Sequence, residues 1–257
     1  MRSAGGLDGA RQLADEFAQG WLQDLGVPAR ARVDVHGMAS ALGLEVVAAA
    51  IKHDGQLALG SPPRILVQDG QPLARQRFTV AHELGHWAVH TGRTAEIGLD
   101  QAFHSEEMLC NAVAGALLMP LPWLRKAFPE AAHSQELQMV QELARQANVS
   151  LGAAVIRLRD AFGWRKTLLH WSRVGGEWVF DGEAGVYPRE QGAIVPSSNV
   201  VFALNEVRNS SRGIQRCTLP LRIFRAERQV AAEVLPLRKG AVVLVDAPSP
   251  SHPDSLP

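Results

Sequence analysis

An α+β fold is what this sequence predicts, and three observations carry that expectation. Helical periodicity dominates the first 165 residues but is broken by two strand-like runs, and from Thr167 onward the segments become β-prone. The composition, 46% hydrophobic and 20% charged over 257 residues, is that of globular material with enough chain for two modest domains.

The elements follow in order. Leu13, Phe17, Trp21 and Leu25 recur every fourth position and mark a helix from Leu7 to Gly26, ended by Gly26 and Pro28. A short helix is expected over Val35 to Leu42, then strands over Leu44 to Ala50 and Arg64 to Gln68, separated by a turn-rich stretch with Gly55 and Gly60-Ser61-Pro62-Pro63. Phe78 to His90 reads as a helix closed by Gly92, residues 91–104 as a loop, and Glu106 to Met119 as a strongly apolar helix stopped by Pro120 and Pro122. Two more helices span Gln135 to Asn148 and Leu151 to Phe162, with Ser150 as N-cap of the second. Strands are expected over Leu168–Val174, Trp178–Phe180, Val200–Val207, Ile214–Phe224, Val230–Leu237 and Ala241–Val245, and the proline-rich tail 247–257 is expected to be disordered.

Charge and cysteine usage exclude several classes. Twenty-six basic residues balance 26 acidic ones, so no global field recruits nucleic acid or an anionic membrane. Cys110 and Cys217 lie in unrelated contexts and make neither a disulfide framework nor a four-cysteine zinc site. With no signal-like apolar stretch at Met1 to Asp8 and no run of 18 apolar residues, a cytoplasmic protein is expected.

His82-Glu83-Leu84-Gly85-His86 is the most informative feature. Residues four apart on a helix lie about 40° from each other around its axis, so the two imidazoles face one point, as a tetrahedral metal requires. Glu83 stands beside them as a general base for a water. No proline or β-branched residue interrupts the motif. A third protein ligand is needed, and the downstream candidates are Asp100, His104, Glu106 and Glu107. Glu107 is best placed, because Asn111 and Gly115 follow at intervals of four and form a small, polar stripe that lets two helices approach; Asn111 then orients a ligating imidazole. Glu106 and His104 remain alternatives. If Glu107 is the ligand, Glu106 points about 100° away and should influence the metal neither directly nor through a neighbour.

The stretches Arg75-Gln76-Arg77-Phe78-Thr79-Val80-Ala81-His82-Glu83-Leu84-Gly85-His86, Glu107-Met108-Leu109-Cys110-Asn111 and Leu117-Leu118-Met119-Pro120 resemble the ImmA/IrrE family of metallopeptidases. Leu143 to Ser150 is similar to a helix-turn-helix-like middle segment of that family, and Val207 to Val245, more loosely, to its GAF-like C-terminal domain. The resemblance implies a gluzincin-like zinc peptidase domain over 1–129, a helix-turn-helix-like segment over 130–165, a GAF-like domain over 166–246 and a tail beyond. It implies His82, His86 and Glu107 as ligands of zinc, with manganese also acceptable to this donor set, and Glu83 as general base. It further implies an endopeptidase that cleaves an Xre-type repressor at one place and so derepresses stress or DNA-damage genes.

Other residues carry less. His90 reads as a helix C-terminal histidine, Cys110 as a small buried hydrophobe, Trp87 and Trp123 as packing, and Arg75 and Arg77 as substrate contacts or salt bridges. Residues 137–166 carry five Lys or Arg against two acids, with Arg157 and Arg159 as the obvious DNA contacts; docking of a protein fits that small surplus better. Near the motif no tyrosine stands ready as an oxyanion donor, and His104 is the remaining candidate. Two rival functions are a DNA-binding regulator with a non-catalytic metal site and a ligand-sensing adaptor.

Overall fold

The computed structural model describes residues 6–128, 135–185, 195–196, 200, 204–208, 213–223 and 226–246. The tail expected to be disordered, 247–257, lies outside them. The chain is α+β and divides into two compact units, Met1–Ala131 with Glu142–Ala161, and Ala132–Gln141 with Phe162–Pro257.

In the first unit, α1 (Gly6–Asp24) and α2 (Val35–Ala41) precede a three-stranded sheet of β1 (Glu45–Ala49), β2 (Gly55–Ala58) and β3 (Arg64–Gln68). Asp34 caps α2 by accepting from the Gly37 N–H at 2.9 Å. The strand order is β1-β3-β2, with β1 parallel and β2 antiparallel to β3. Two helices follow, α3 (Leu73–His90) and α4 (Glu106–Leu118), then α5 (Leu121–Ala127), α6 (Glu136–Ala147), whose first half up to Gln141 belongs to the second unit, and α7 (Leu151–Phe162). Ser105 caps α4 through the Met108 N–H, and Ser150 accepts from the Ala153 N–H at 3.1 Å to start α7, as its place in the sequence predicts.

Packing explains the order. Val80, Ala81, Leu84 and Ala88 of α3 and Val113, Ala114 and Leu117 of α4 are fully buried. The two helices meet at Gly85, where a Cβ would lie 2.9 Å from the Cα of Cys110, so only glycine admits this approach. The close contact therefore runs through Gly85. The small stripe on α4 does not supply it, because Gly115 instead faces the Arg157 side chain of α7.

Arg157 corrects a second expectation. Its guanidinium is 4% exposed, paired with Asp15 of α1, which is 8% exposed, and Nε donates to the Met119 carbonyl at 3.0 Å. A side chain spent on joining α7, α1 and the end of α4 cannot read DNA. Arg77 is also structural: it is buried and donates to the carbonyls of Val33 and Ala147.

Three further elements differ from the sequence reading. β2 occupies part of the stretch read as turn, because pairing with β3 holds residues of low strand propensity in an extended form. α5 begins directly after Pro120 with Pro122 in its first turn, where a missing N–H costs no helical bond. α3 starts at Leu73, five residues ahead of Phe78.

The second unit holds a six-stranded antiparallel sheet ordered β5-β4-β9-β8-β7-β6: β4 (Lys166–Val174), β5 (Glu177–Gly185), β6 (Val195–Pro196), β7 (Gln215–Ile223), β8 (Ala226–Leu237) and β9 (Gly240–Asp246). The strand expected over Val200–Val207 is corrected where it is described, since Val200 and 204–208 are helical, and 201–203 lie outside the described residues. Val200, Leu204 and Val207 recur at intervals of four and three and are buried with Leu169, Trp171 and Val243, a helical stripe disguised by β-branched residues. Glu233 of β8 accepts from the Leu137 N–H at 2.6 Å at the start of α6.

Lys166 lies 2.6 Å from Glu136 and 2.7 Å from Asp246. Burial opposes its charge, but hydrogen bonds to Asp246 and Glu136 outweigh burial and raise its pKa. A lysine pKa raised on folding stabilises fully below its unfolded value of about 10.4 and loses that contribution as pH rises through the folded value. Thermal melts of the wild type should therefore fall more steeply above about pH 10.4 than those of Lys166→Met; parallel curves would discount the pair.

Candidate metal centre and its cleft

The centre is assembled by α3 and α4. His82 and His86 lie one turn apart on α3, and their Nε2 atoms are 3.1 Å apart. Glu107, in the first turn of α4, places its carboxylate oxygens 3.3 Å from each of those nitrogens. One ligand atom from each residue lies within 4.8 Å of the others. A tetrahedral ion with bonds of about 2.0 to 2.1 Å needs donor separations of about 3.3 to 3.4 Å, so this triangle fits a small divalent cation. The donor set, two neutral imidazoles and a carboxylate, suits such an ion chemically.

Each imidazole is held from behind by α4. His82 Nδ1 donates to Asn111 Oδ1 at 3.1 Å, and His86 Nδ1 donates to Glu106 Oε1 at 2.6 Å. The expectation that Glu106 would play no part at the centre is thereby corrected. It points away from the Glu107 direction, and the other side of His86 lies there. His86, Glu106 and Cys110 also form a potential ligand group, but 2.6 Å is a hydrogen-bond separation too short for two ligands of one ion. Cys110 is fully buried, and burial with the surrounding carboxylates pushes its thiol far above the ordinary value, leaving it uncharged.

Glu83 is 6% exposed. Burial raises its carboxyl above the ordinary range, while His86 and the Leu57 N–H pull it down and Glu107 adds to the rise. His82 is shifted down, first by burial and then by His86, against the opposing pull of Glu107 and Asn111. Both shifts follow from placing titratable groups together in a partly dry site.

A cleft of about 870 Å³ opens over these groups, with Gly55, Gln56 and Leu57 on one wall and Phe78, His82 and Glu83 on the other. β3 lies between β1 and β2, so both its edges are taken and Ile65 to Val67 cannot add a substrate strand. β1 and β2 are the edge strands among the described residues, and it is β2 that borders the cleft. Gly55 permits its position: a Cβ there would collide with Thr79 Cγ2 and come within 3.0 Å of Glu83 Oε1. Asp54, just before β2, pairs with Arg75 and accepts from Gln71 Nε2 at 2.8 Å, which ties this strand to the start of α3. Gly55→Ala should displace β2 or Glu83 and cut turnover about 10²-fold with bound metal unchanged, a misplacement effect read by comparing kcat with metal content.

Of the other residues singled out, His53 and His90 line the cleft, whereas His104 does not and Asp100 does not; neither of the latter joins the three-ligand group. The places of Glu106 behind His86, of Gly55 against Glu83 and of the β2 edge at the cleft were missed by sequence reasoning. The signal available for Glu106 was its place beside Glu107 in a capped first turn, where two acids diverge around the helix.

Among the described residues no single helix is long and apolar enough to cross a membrane. The solved structure of a Mycobacterium tuberculosis transcriptional regulator has a similar fold, with a TM-score of 0.56 over 94% of this chain and 81% of that one at 14% identity. The radiation response metalloprotease IrrE of Deinococcus radiodurans is 31% identical over 102 residues, 37% of this chain but only 30% of that protein. Residues 39–159 match the IrrE N-terminal-like domain of the M78 peptidases, a stretch that contains β1 to α4 and every residue of the centre. Over that stretch, a little under half of its length, the chain is similar to the ImmA/IrrE metallopeptidases.

Proposed function

We propose that this protein is a zinc-dependent, site-specific endopeptidase with a gluzincin-like site, whose substrate is an Xre-type transcriptional repressor cleaved to release stress or DNA-damage genes. The single observation that carries the peptidase reading is the convergence of His82, His86 and Glu107 beside the buried Glu83 in an open cleft. His82, His86 and Glu107 would hold the ion, and manganese suits the same donors. When bound, the ion supplies Lewis acidity toward the water and the scissile carbonyl.

The chain's own groups do the rest. The free edge of β2 offers main-chain hydrogen bonds to an extended substrate segment, and the cleft walls select its side chains. Glu83 takes a proton from the attacking water as the new C–O bond forms. It then gives that proton to the amine nitrogen as the C–N bond breaks, so the carboxylate is regenerated. Asn111 keeps His82 in the tautomer with Nδ1–H.

The domain plan is a metallopeptidase domain over 1–129, a helix-turn-helix-like segment over 130–165 and a GAF-like domain over 166–246. The α6–α7 pair, joined through Asn148 with φ +53°, supports the second. The six-stranded antiparallel sheet with the helical stretch at 204–208 supports the third. Arg157 being buried favours a protein-docking use of the helical pair over DNA reading. A cytoplasmic location accords with a repressor as substrate.

Incubation of the purified protein and zinc with Xre-type repressors of the same genome, read by mass spectrometry, tests this. One pair of complementary fragments that disappears with chelator is expected. Intact repressors throughout would contradict the substrate assignment.

A further inference from the structure

We infer that Glu106 is a positioning residue of this centre: it holds the His86 imidazole in the tautomer with Nδ1–H, so that Nε2 is the nitrogen presented to the metal. The inference rests on the reading of His82, His86 and Glu107 as the ligands.

The observation behind it is an asymmetry. His82 is held by an amide oxygen at 3.1 Å, whereas His86 is held by a carboxylate at 2.6 Å, the shorter contact expected of a charged acceptor. Glu106 and Glu107 are neighbours at the start of α4, where Ser105 caps the helix and the dipole favours both charges. Adjacent positions diverge by about 100°, which lets one carboxylate reach each side of the same ring. Glu106 reaches Nδ1 at 2.6 Å and Glu107 reaches Nε2 at 3.3 Å, so His86 is gripped between them. A neutral imidazole has one N–H, and a carboxylate accepting it at Nδ1 leaves the Nε2 lone pair free and makes it a stronger donor. Asn111 does the same for His82 without a charge. The gap left at Gly85 lets α4 lie close enough for both contacts.

Glu106 is about half exposed, so its replacement leaves the core intact. The direct test is ¹⁵N NMR of the histidine rings in the metal-free protein, with zinc affinity measured beside it by chelator competition. The wild type should show His86 with Nδ1–H. Glu106→Ala should shift His86 toward the Nε2–H form and weaken zinc binding about 10- to 100-fold. Glu106→Gln should keep the Nδ1–H form and lose less affinity, because its amide oxygen still accepts. Asn111→Ala should alter His82 and leave His86 unchanged. An Nε2–H form of His86 in the wild type, or an unaltered tautomer and affinity in Glu106→Ala, would overturn the inference. Full zinc retention in Glu107→Ala would instead overturn the ligand assignment, whatever the tautomer shows.

Discussion

Glu83→Gln is expected to bind zinc with wild-type stoichiometry and to lose cleavage by about 10²- to 10⁴-fold, the contribution of a positioned general base. The amide preserves the volume of a side chain that is 6% exposed and packed beneath Gly55 and Leu57, but it cannot accept the water's proton. Turnover of an identified substrate, with metal content measured on the same preparation, gives the answer. Equal rates in variant and wild type would remove Glu83 from the mechanism while leaving the metal centre standing.

Arg157→Ala is expected to destabilise the first unit by about 3 to 5 kcal/mol, because it leaves the Asp15 carboxylate buried without its partner. The Met119 carbonyl at the end of α4 loses its donor in the same step. Replacing both partners, Asp15→Leu with Arg157→Met, should cost far less, since apolar side chains of similar size need no counter-charge. Urea titrations of the three proteins measure this directly, and a single variant as stable as the wild type would show the pair to be incidental.

The sequence made legible whatever depends on local periodicity. His82 and His86 can be assigned to one helical face because their spacing is a property of the α-helix, and Ser150 can be read as an N-cap because capping is decided within four residues. The likeness of residues 39–159 to the IrrE N-terminal-like domain is likewise written in the motif and in the stretch ending Leu117-Leu118-Met119-Pro120. The features that escaped are those decided by distant contacts. β2 exists because β3 pairs with it, and its role at the cleft follows from being the strand at the sheet's edge. Whether Arg157 meets solvent or Asp15 depends on a residue 142 positions away. Glu106 gains its role from the side on which α4 passes His86, and no spacing along one helix encodes that. The helical stretch at 204–208 was hidden by valines whose strand preference is overridden by packing against the sheet.

The central claim is that His82, His86 and Glu107 form one metal centre, and elemental analysis of bound zinc tests it most directly. One zinc per chain is predicted for the wild type, with loss from His82→Ala, His86→Ala and Glu107→Ala, because two remaining protein ligands hold the ion poorly. Retention of a full equivalent in any of these three variants, or a wild type that takes up no zinc, would contradict the account.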